Sequence, residues 1–386
     1  MNVKKSILIT NGHLNSGGVE RSLVNVLRNF DFEKFDVDLL LFEGLGDYYR
    51  YIPSEVNVIN FDLSPYYGSY IVSIKNSISN KDYKGIFLKI ILMLSAKIDI
   101  RFYKLLKFLR ITKRRYDVGI AYRTGLSLDY ISYCIKSKTK YMWWHHGEYN
   151  LKESKNLNKS LKNINKIVCV SKSTKKMISP FLKSDKCIIP NMLDVTNVLN
   201  NSIKFNPYKQ DNTKILVSVG RLSEEKHMIN CVLTMDKLLH RGYTNIKWYL
   251  VGDGLERNNI EEEINSRNLQ ENVILVGNQE NPYPYIKYAN FYVHTSYVES
   301  QGLSVLEAMA LGKCGVVTKS LGVEEFIVHG ENALLAEQSV DDLVKNIELL
   351  LNDSTLLNKL TQNQLSTIKQ FSPEIVMKDI YKLLEE

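Results

Sequence analysis

The sequence predicts an α/β protein built from two Rossmann-like units. Its 386 residues are more than a single hydrophobic core usually supports, so two domains are expected. Short apolar runs typical of buried strands alternate with helical segments in both halves of the chain. Glycine-containing turns follow several of these runs, as expected in a doubly wound parallel sheet.

Composition limits the class of protein. Hydrophobic residues make up 44% of the chain and charged residues 24%, which is typical of a globular protein and argues against long disordered segments. The five cysteines have no paired spacing, so neither a zinc site nor a disulfide framework is predicted, and a reducing compartment is indicated. No stretch reaches the roughly 18 to 20 apolar residues of a membrane span. The apolar run at the N-terminus is too short for a signal peptide, so we expect a cytoplasmic protein.

The first half of the chain shows the alternation of a parallel sheet. We predict a helix over residues 19–28 and strands over residues 6–10, 36–42, 56–61, 116–121, 140–144, 166–170 and 187–190. Gly17 and Gly18 lie where the first strand passes into this helix, so their backbone N–H groups could meet an anion, although a plain turn is the alternative. His145 and His146 follow the strand at 140–144, where open sheets place ligand-contacting residues. A structural histidine at a strand end is the alternative there.

Positive charge is concentrated in one segment. Residues 64–115 contain twelve lysines and arginines against two aspartates, a net +10, so the rest of the chain sums to −2. Within the segment, residues 101–110 form an amphipathic helical pattern, with Phe102, Leu105, Leu106 and Leu109 on one face and Arg101, Lys104, Lys107 and Arg110 on the other. Such a helix suits an anionic membrane surface, and the alternative is an ordinary helix packed on the sheet. No nucleic-acid-binding motif accompanies the charge, so nucleic acid is not an expected partner.

The second half repeats the strand–helix alternation after a polar linker at 196–213. The predicted strands are 214–219, 246–251, 273–276, 290–296 and 315–319, and a helix closes the chain at 373–386. Arg221 and Lys226 follow the strand at 214–219. Two cations five residues apart could clamp a diphosphate, while a pair of surface charges is the alternative.

The stretch from Tyr297 to Gly312 carries the most specific chemistry. It follows a predicted buried strand, turns at Gly302 and begins a helix, and the first N–H groups of a helix form an anion site. Glu299 and Glu307 bracket this turn. Because a carboxylate repels phosphate, these two groups are better suited to accepting hydrogen bonds from sugar or ribose hydroxyls. The stretch therefore indicates a nucleotide-sugar site.

Taken in order, the motifs resemble family 4 of the retaining glycosyltransferases. The segments that carry the resemblance are 17–21 (GGVER), 144–148 (WHHGE), 189–194 (IPNMLD), 220–226 (GRLSEEK), 251–254 (VGDG) and Glu299-x7-Glu307. The resemblance implies the GT-B architecture of two facing Rossmann-like domains with an interdomain cleft. It implies an acceptor-binding domain at 1–195 with the basic insertion at about 64–115, a linker at 196–213, and a nucleotide-sugar-binding domain at 214–370. The helix at 371–386 is expected to cross back to the first domain.

The resemblance also implies roles for single residues. Arg221 and Lys226 match the pair that binds the pyrophosphate, and Glu299 and Glu307 match the carboxylates that contact the donor sugar and the ribose. The backbone N–H groups of Gly302, Leu303 and Ser304, with those of Gly17 and Gly18, would meet the phosphates. His146 matches the histidine that faces the donor sugar, with His145 as the alternative register. Gln301 departs from the pattern, because many relatives carry Phe or another large residue there.

The expected activity is hexosyl transfer from a nucleoside-diphosphate sugar, expected to be UDP-linked, to a glycan or lipid-linked acceptor. The family mechanism retains the anomeric configuration and uses no metal or other cofactor. A peripheral position at the cytoplasmic face of the membrane, on anionic lipid, follows from the basic segment. The alternatives are a nucleotide-sugar epimerase of similar fold and a non-catalytic donor-binding subunit of a transferase complex.

Overall fold

The computed structural model describes residues 4–15, 17–66, 82–97, 99–109, 111–112, 114–147, 154–209 and 211–386. These residues divide into two compact units. The first unit comprises Met1–Pro190 together with Met377–Glu386, and the second comprises Asn191–Val376. Each unit is built on one parallel sheet, as predicted.

The first unit contains a seven-stranded sheet in the order β3-β2-β1-β4-β5-β6-β7. Its strand pairs are parallel, and the order reverses between β1 and β4. The strands are β1 (Lys5–Asn11), β2 (Phe35–Leu41), β3 (Asn57–Asn60), β4 (Tyr116–Ala121), β5 (Ser137–Trp144), β6 (Lys166–Cys169) and β7 (Asp185–Ile188). β1, β2 and β4 are almost entirely buried, as expected for central strands of a parallel sheet that is covered on both faces.

Helices accompany this sheet. They are α1 (Gly18–Arg28), α2 (Tyr83–Lys97), α3 (Leu126–Tyr133), α4 (Ser154–Leu161) and α5 (Lys172–Ile178), with 3₁₀-helices at Asp47–Tyr51, Ser64–Tyr66 and Ile100–Leu109. The final residues of the chain also belong to this unit. The Tyr381 hydroxyl donates to the carbonyl of Asn29 at 3.0 Å and accepts from the N–H of Asp31 at 2.8 Å.

The second unit contains a six-stranded sheet in the order β10-β9-β8-β11-β12-β13. The strands are β8 (Lys214–Val219), β9 (Ile246–Val251), β10 (Val273–Gly277), β11 (Phe291–His294), β12 (Cys314–Thr318) and β13 (Leu334–Ala336). Its helices are α6 (Val195–Ser202), α7 (Ile229–His240), α8 (Arg257–Ser266), α9 (Tyr283–Tyr288), α10 (Leu303–Ala310), α11 (Val340–Asn352) and α12 (Ser354–Ile368), with 3₁₀-helices at Glu224–Lys226 and Lys369–Phe371. The last helix, α13 (Pro373–Glu385), begins in the second unit, and its residues from Met377 onward belong to the first.

Two hydrophobic cores lie on opposite faces of the second sheet. Leu216 and Val293 pack into one core, whereas their chain neighbours Val217 and Tyr292 pack into the other. This alternation is the period-2 arrangement of side chains along a strand. With helices on both faces, the unit is a doubly wound Rossmann-like domain.

Two segments differ from the sequence prediction. The region predicted as a linker contains helix α6, because the Asp194 carboxylate caps it by accepting from the N–H of Asn197 at 2.9 Å. The amphipathic segment forms a 3₁₀-helix, Ile100–Leu109, whose Leu106 is fully buried in the core of the first unit. At least this part of its apolar side therefore packs as in an ordinary surface helix.

A glycine turn after β9 shapes the loop that follows β8. The N–H of Leu222 donates to the carbonyl of Asp253 at 3.0 Å, and the N–H of Gly220 donates to that of Val251 at 3.0 Å. Gly252 adopts φ 143°, and a Cβ there would lie 1.8 Å from the carbonyl oxygen of Gly220. The glycine thus allows two backbones to approach closely enough to hold the loop that carries Arg221.

We predict that Gly252→Ala destabilises the second unit by about 3 kcal/mol or more, because the added methyl group overlaps backbone that cannot move independently. Gly242→Ala is the matched control, since Gly242 also has a positive φ, 92°, but has open space around its Cβ position. That control should lose only about 1 kcal/mol from backbone strain. Urea unfolding monitored by tryptophan fluorescence measures both, and equal losses would contradict the close-approach argument.

Candidate active site

The predicted donor residues of the second unit follow its strands near the carboxyl edge of the sheet, where the strand order reverses, whereas Gly17 and Gly18 lie in the first unit. β8 and β11 are adjacent, with Leu216 opposite Phe291, although they are far apart in sequence. In open α/β sheets this reversal creates the crevice in which ligands bind. The loops after β8 and β11 contact each other directly, since the Thr295 hydroxyl donates to the carbonyl of Lys226 at 2.9 Å.

Glu299 is held between two basic side chains. Its Oε1 lies 2.5 Å from Nζ of Lys226 and 3.0 Å from Nε2 of His294. The Glu299 side chain is only 9% exposed. Burial by itself raises the pKa of Glu299, but Lys226 and His294 together outweigh burial and hold its pKa well below the usual range. Glu299 is therefore a carboxylate at any physiological pH.

The contacts behind Glu299 continue into the sheet. Nδ1 of His294 lies 3.1 Å from the hydroxyl of Tyr292, and that hydroxyl lies 3.0 Å from Oγ of Ser304. Tyr292 and His294 are both buried. A continuous series of polar contacts thus joins the side chains of Lys226, Glu299, His294, Tyr292 and Ser304. It connects the loop after β8 to the first turn of α10.

Helix α10 begins at Leu303 after Gly302, which adopts a left-handed conformation with φ 81°. A side chain at Gly302 would be strained by this conformation, and its Cβ would lie 2.7 Å from Cγ1 of Val323. The first N–H groups of a helix have no intrahelical acceptor, so the backbone at Leu303 and Ser304 can bind an anion. As predicted from spacing, the apolar positions of this helix, Val305 and Leu306 among them, are fully buried.

Glu307 and Arg221 occupy contrasting environments. Glu307 lies in α10 and is 2% exposed, with its Oε1 accepting from the Tyr283 hydroxyl at 3.1 Å. Arg221 is exposed, and among the described residues no carboxylate lies within ion-pair distance of its guanidinium. Of the predicted site residues, Lys226 and Glu299 are thus in direct contact, and Arg221 lies on the same loop as Lys226. Glu307 is buried about one helix turn beyond Ser304.

Gln301, which departs from the family pattern, clamps this loop in place. Its side-chain Oε1 accepts from the N–H of Asn191 at 2.7 Å, and its Nε2 donates to the carbonyl of Asn191 at 3.0 Å. Gln301 is buried, so both bonds are shielded from water. A primary amide offers a donor and an acceptor side by side, which matches one backbone residue. The clamp fixes the loop between Glu299 and Gly302.

In the first unit, the two adjacent histidines differ in accessibility. His146 is exposed, and its Nε2 lies 3.1 Å from the Thr124 hydroxyl. The His145 ring packs against Tyr122 with a centroid distance of 4.8 Å. Burial, with smaller contributions from His146 and Arg123, lowers the pKa of His145 to about 3. Of the two, His146 is the histidine that a ligand could reach.

The Gly17–Gly18 turn has a carboxylate beside it. A Cβ at Gly17 would lie 2.3 Å from Oε2 of Glu20, so the space left by the glycine is taken by this side chain. Glu20 is buried and its Oε1 lies 3.0 Å from Arg123, with His13 at 3.8 Å. The sequence prediction missed this pairing, because Arg123 lies 103 residues further along the chain. Any anion at Gly18 would meet a carboxylate whose charge Arg123 balances.

The basic residues of the insertion have different surroundings. Arg101 is exposed and forms an ion pair with Asp99, with its Nη2 2.9 Å from Oδ2. Lys104 and Lys107 are exposed, and Arg110 lies outside the described residues. Nζ of Lys107 lies 5.2 Å from the ring centre of Phe108. Within the described part of the chain, no helix is long and apolar enough to cross a membrane, and no cluster of three His, Cys, Asp or Glu side chains could hold a metal ion.

Residues 200–366 match the family model described as glycosyl transferases group 1. An uncharacterised glycosyltransferase of Haemophilus influenzae is 23% identical over 94% of this chain and 95% of that relative. One from Methanocaldococcus jannaschii is 28% identical over 57% of this chain, and the alignment spans 63% of that relative. The N-acetylgalactosamine-N,N'-diacetylbacillosaminyl-diphospho-undecaprenol 4-alpha-N-acetylgalactosaminyltransferase of Campylobacter jejuni is 27% identical, covering 52% of this chain and 53% of its own length. The chain therefore carries a glycosyltransferase group 1 domain and has glycosyltransferase homologues.

Solved structures show the same fold over the whole chain. A mutant of S. aureus TarM, in complex with fondaparinux, α-GlcNAc-glycerol and UDP, has a TM-score of 0.75 at 16% identity, with 99% of this chain and 100% of that chain covered. Anabaena HepE in complex with UDP and glucose has a TM-score of 0.72 at 17% identity, with 99% of both chains covered. The predicted fold class, GT-B with two Rossmann-like domains, is confirmed.

We predict that Gln301→Glu destabilises the second unit by about 2 kcal/mol or more, because it buries a charge and places a carboxylate oxygen against the carbonyl of Asn191. Thermal unfolding at neutral pH measures the loss.

Gln338→Glu provides the control for this substitution. Nε2 of Gln338 also donates to backbone carbonyls, those of Tyr297 and Lys319, but in exposed positions. Water can solvate the new carboxylate there, so a change within about 0.5 kcal/mol is expected. A Gln301→Glu protein as stable as this control would show that the clamp contributes little.

Proposed function

We propose that this protein transfers a hexose from a UDP-linked sugar to a glycan or lipid-linked acceptor, with retention of configuration and without a metal ion. The observation that carries the proposal is the contact between Lys226 and Glu299 beside the N-terminus of α10. A cation, a carboxylate and free backbone N–H groups are what a diphosphate joined to a polyhydroxyl sugar requires. The glycosyltransferase group 1 match at 200–366 includes all three.

The positive groups are assigned to the diphosphate. Arg221 is exposed on the loop after β8, and Lys226 follows it on the same loop. Together with the N–H groups of Gly302, Leu303 and Ser304, they would stabilise the negative charge that grows on the departing UDP. Such stabilisation is stronger in the transition state than in the ground state, so it accelerates transfer. This is the work that a divalent cation would otherwise do.

The two carboxylates are assigned to hydroxyl groups. Glu299, ionised and oriented by its two basic neighbours, would accept hydrogen bonds from the transferred sugar. Glu307, oriented by Tyr283, would accept from the ribose. UDP as the nucleotide is supported by its presence in the complexes of TarM and HepE, which share the fold.

The first unit is assigned to the acceptor and to the reacting end of the sugar. His146 is the accessible member of its histidine pair, and we assign it to the donor sugar near the reacting carbon, with Gly17 and Gly18 close to the phosphates. In the proposed retaining mechanism, a phosphate oxygen of the leaving UDP takes the proton of the acceptor hydroxyl on the face from which UDP departs. The acceptor oxygen bonds to the same face of an oxocarbenium-like sugar, so no enzymic nucleophile is needed.

A glycan or lipid-linked acceptor is supported by two similarities. The C. jejuni relative is named for transfer to a diphospho-undecaprenol-linked saccharide, and the TarM complex contains α-GlcNAc-glycerol. A membrane-surface position for this protein is proposed on a separate observation. Phe108 is 65% exposed and Tyr83 is 75% exposed, and both lie in the segment with the excess of basic residues.

We predict that the protein releases UDP slowly from one member of a panel of UDP-hexoses and UDP-N-acetylhexosamines, and that Lys226→Ala lowers this rate at least about 100-fold through lost leaving-group stabilisation. The panel is first screened by thermal shift, because a bound donor raises the apparent Tm by mass action. UDP release and sugar transfer to lipid-linked saccharides are then measured with the donor that gives the largest shift.

Lys237→Ala is the control for charge removal on the same unit. Lys237 is an exposed lysine that pairs with Asp341, Nζ to Oδ1 at 2.6 Å, so its loss should leave the rate within about twofold. Near-normal turnover by Lys226→Ala would remove Lys226 from the site. If the protein inverts a stereocentre of the sugar in the UDP-sugar and transfers nothing, it is an epimerase and not a glycosyltransferase. If it binds the UDP-sugar without turnover, it is a donor-binding subunit.

We predict that the protein sediments with vesicles containing anionic lipid and that Lys104→Gln/Lys107→Gln/Arg110→Gln weakens this binding at least about tenfold, since each basic residue near an anionic surface contributes about 1 kcal/mol. Sedimentation with phosphatidylglycerol–phosphatidylcholine vesicles, at low and at physiological salt, measures the binding.

A second triple variant controls for the change in net charge. Lys345→Gln/Lys359→Gln/Lys369→Gln removes three exposed lysines from the second unit and should bind as the unmodified protein does. Equal weakening by both triple variants, or no preference of the protein for anionic lipid, would refute the membrane assignment.

A further inference from the structure

We propose that His294 is a positioning residue for the donor sugar: it keeps the Glu299 carboxylate fixed when Lys226 turns to the diphosphate. This inference rests on the proposed function and deepens it. It assigns a task to a buried histidine, and it explains how one lysine can bind a carboxylate in the free protein and a diphosphate in the donor complex.

Lys226 and His294 contact the same atom of Glu299. Oε1 of Glu299 lies 2.5 Å from Nζ of Lys226, which donates a hydrogen bond to it, and 3.0 Å from Nε2 of His294, which contacts it without forming one. A lysine ammonium on a flexible chain can move to a new anion, whereas His294 is confined by burial at 3% exposure. Of these two partners of Glu299, Lys226 is the one that can exchange.

Moving Lys226 from Glu299 to a bound donor has an energetic cost. A diphosphate carries more negative charge than a carboxylate, so a bound donor would attract Lys226 away from Glu299. Glu299 would then be a nearly buried carboxylate deprived of its strongest partner, which is costly without a remaining hydrogen-bond donor. Nε2 of His294 lies 3.0 Å from Oε1 and forms no hydrogen bond among the described residues, so it is available to become that donor. Glu299 would then stay ionised and oriented while its remaining acceptor capacity faces sugar hydroxyls.

The other side of the His294 imidazole ring is held as well. With Nε2 facing Glu299, the other ring nitrogen, Nδ1, faces the Tyr292 hydroxyl at 3.1 Å. The same hydroxyl lies 3.0 Å from Oγ of Ser304 in the first turn of α10. The Tyr292 hydroxyl thus links His294 to the N-terminus of α10, the helix end that is assigned to the phosphates.

The test separates sugar recognition from diphosphate recognition. His294→Leu removes the donor to Glu299 but leaves the diphosphate groups in place, so affinity for the UDP-sugar should fall about tenfold while affinity for UDP stays within about twofold. His294→Gln keeps an N–H that can reach Oε1 and should recover most of the lost affinity. Isothermal titration calorimetry is performed with UDP and with the UDP-sugar that gives the largest thermal shift.

Two further variants complete the design. Tyr292→Phe removes only the hydroxyl that orients the ring, and a smaller loss in the same direction, about threefold, is expected. His240→Leu replaces a histidine that is 78% exposed on α7 and should leave both affinities unchanged. Circular dichroism and thermal unfolding of each variant establish that it is folded before titration.

The outcomes distinguish the two levels of the proposal. If the unmodified protein binds neither UDP nor any UDP-sugar, the proposed function fails and the role of His294 fails with it. If the unmodified protein binds both, and folded His294→Leu either retains full affinity for the UDP-sugar or loses affinity for UDP equally, the proposed function stands and the positioning role is wrong. A structural role alone would not produce a loss confined to the sugar-bearing ligand and reversed by glutamine.

Discussion

The second unit depends on one constraint, the pairing of β8 with β11 at the point where the strand order reverses. Parallel strands end at the same edge of a sheet, so this pairing brings together loops whose residues are 73 positions apart in sequence, as in Lys226 and Glu299. The helices of the unit pack into separate cores on opposite faces of the sheet. The loops at its carboxyl edge are left to form a site, and the group 1 match extends over this region.

Charge at this edge is balanced before any ligand binds. Glu299 is nearly buried, and a buried carboxylate is tolerated only with partners, which Lys226 and His294 provide. Glu20 in the first unit is equally buried and is balanced by Arg123. Arg221 in the second unit differs from these paired groups, because it is exposed and forms no ion pair with a carboxylate among the described residues. The proposed donor diphosphate would therefore meet Arg221, whose charge is available, and Lys226, whose charge is shared with Glu299.

The sequence predicts the features that are encoded in a few neighbouring residues. The buried strands, the turn at Gly302 and the apolar face of α10 follow from period and glycine placement alone. Gln301 with Asn191, and Glu20 with Arg123, are joined only by tertiary contacts over more than 100 residues, which no local pattern encodes. Helix α6 was missed for a different reason, since its polar, asparagine-rich sequence is typical of a loop and its cap at Asp194 is a weak signal.

The burial of Glu307 affects how tightly a ribose could be bound. A carboxylate in water must lose its hydration before it accepts from a ribose hydroxyl, and that loss reduces affinity. Glu307, nearly fully buried, has already lost its hydration on folding, and the Tyr283 hydroxyl at 3.1 Å fixes its orientation. The free energy of desolvating the Glu307 carboxylate is therefore part of the free energy of folding and not of binding. The apolar packing of Val305 and Leu306 in the same helix offsets it. In the proposed assignment, the stability of α10 and the affinity for the nucleotide are therefore coupled through one side chain.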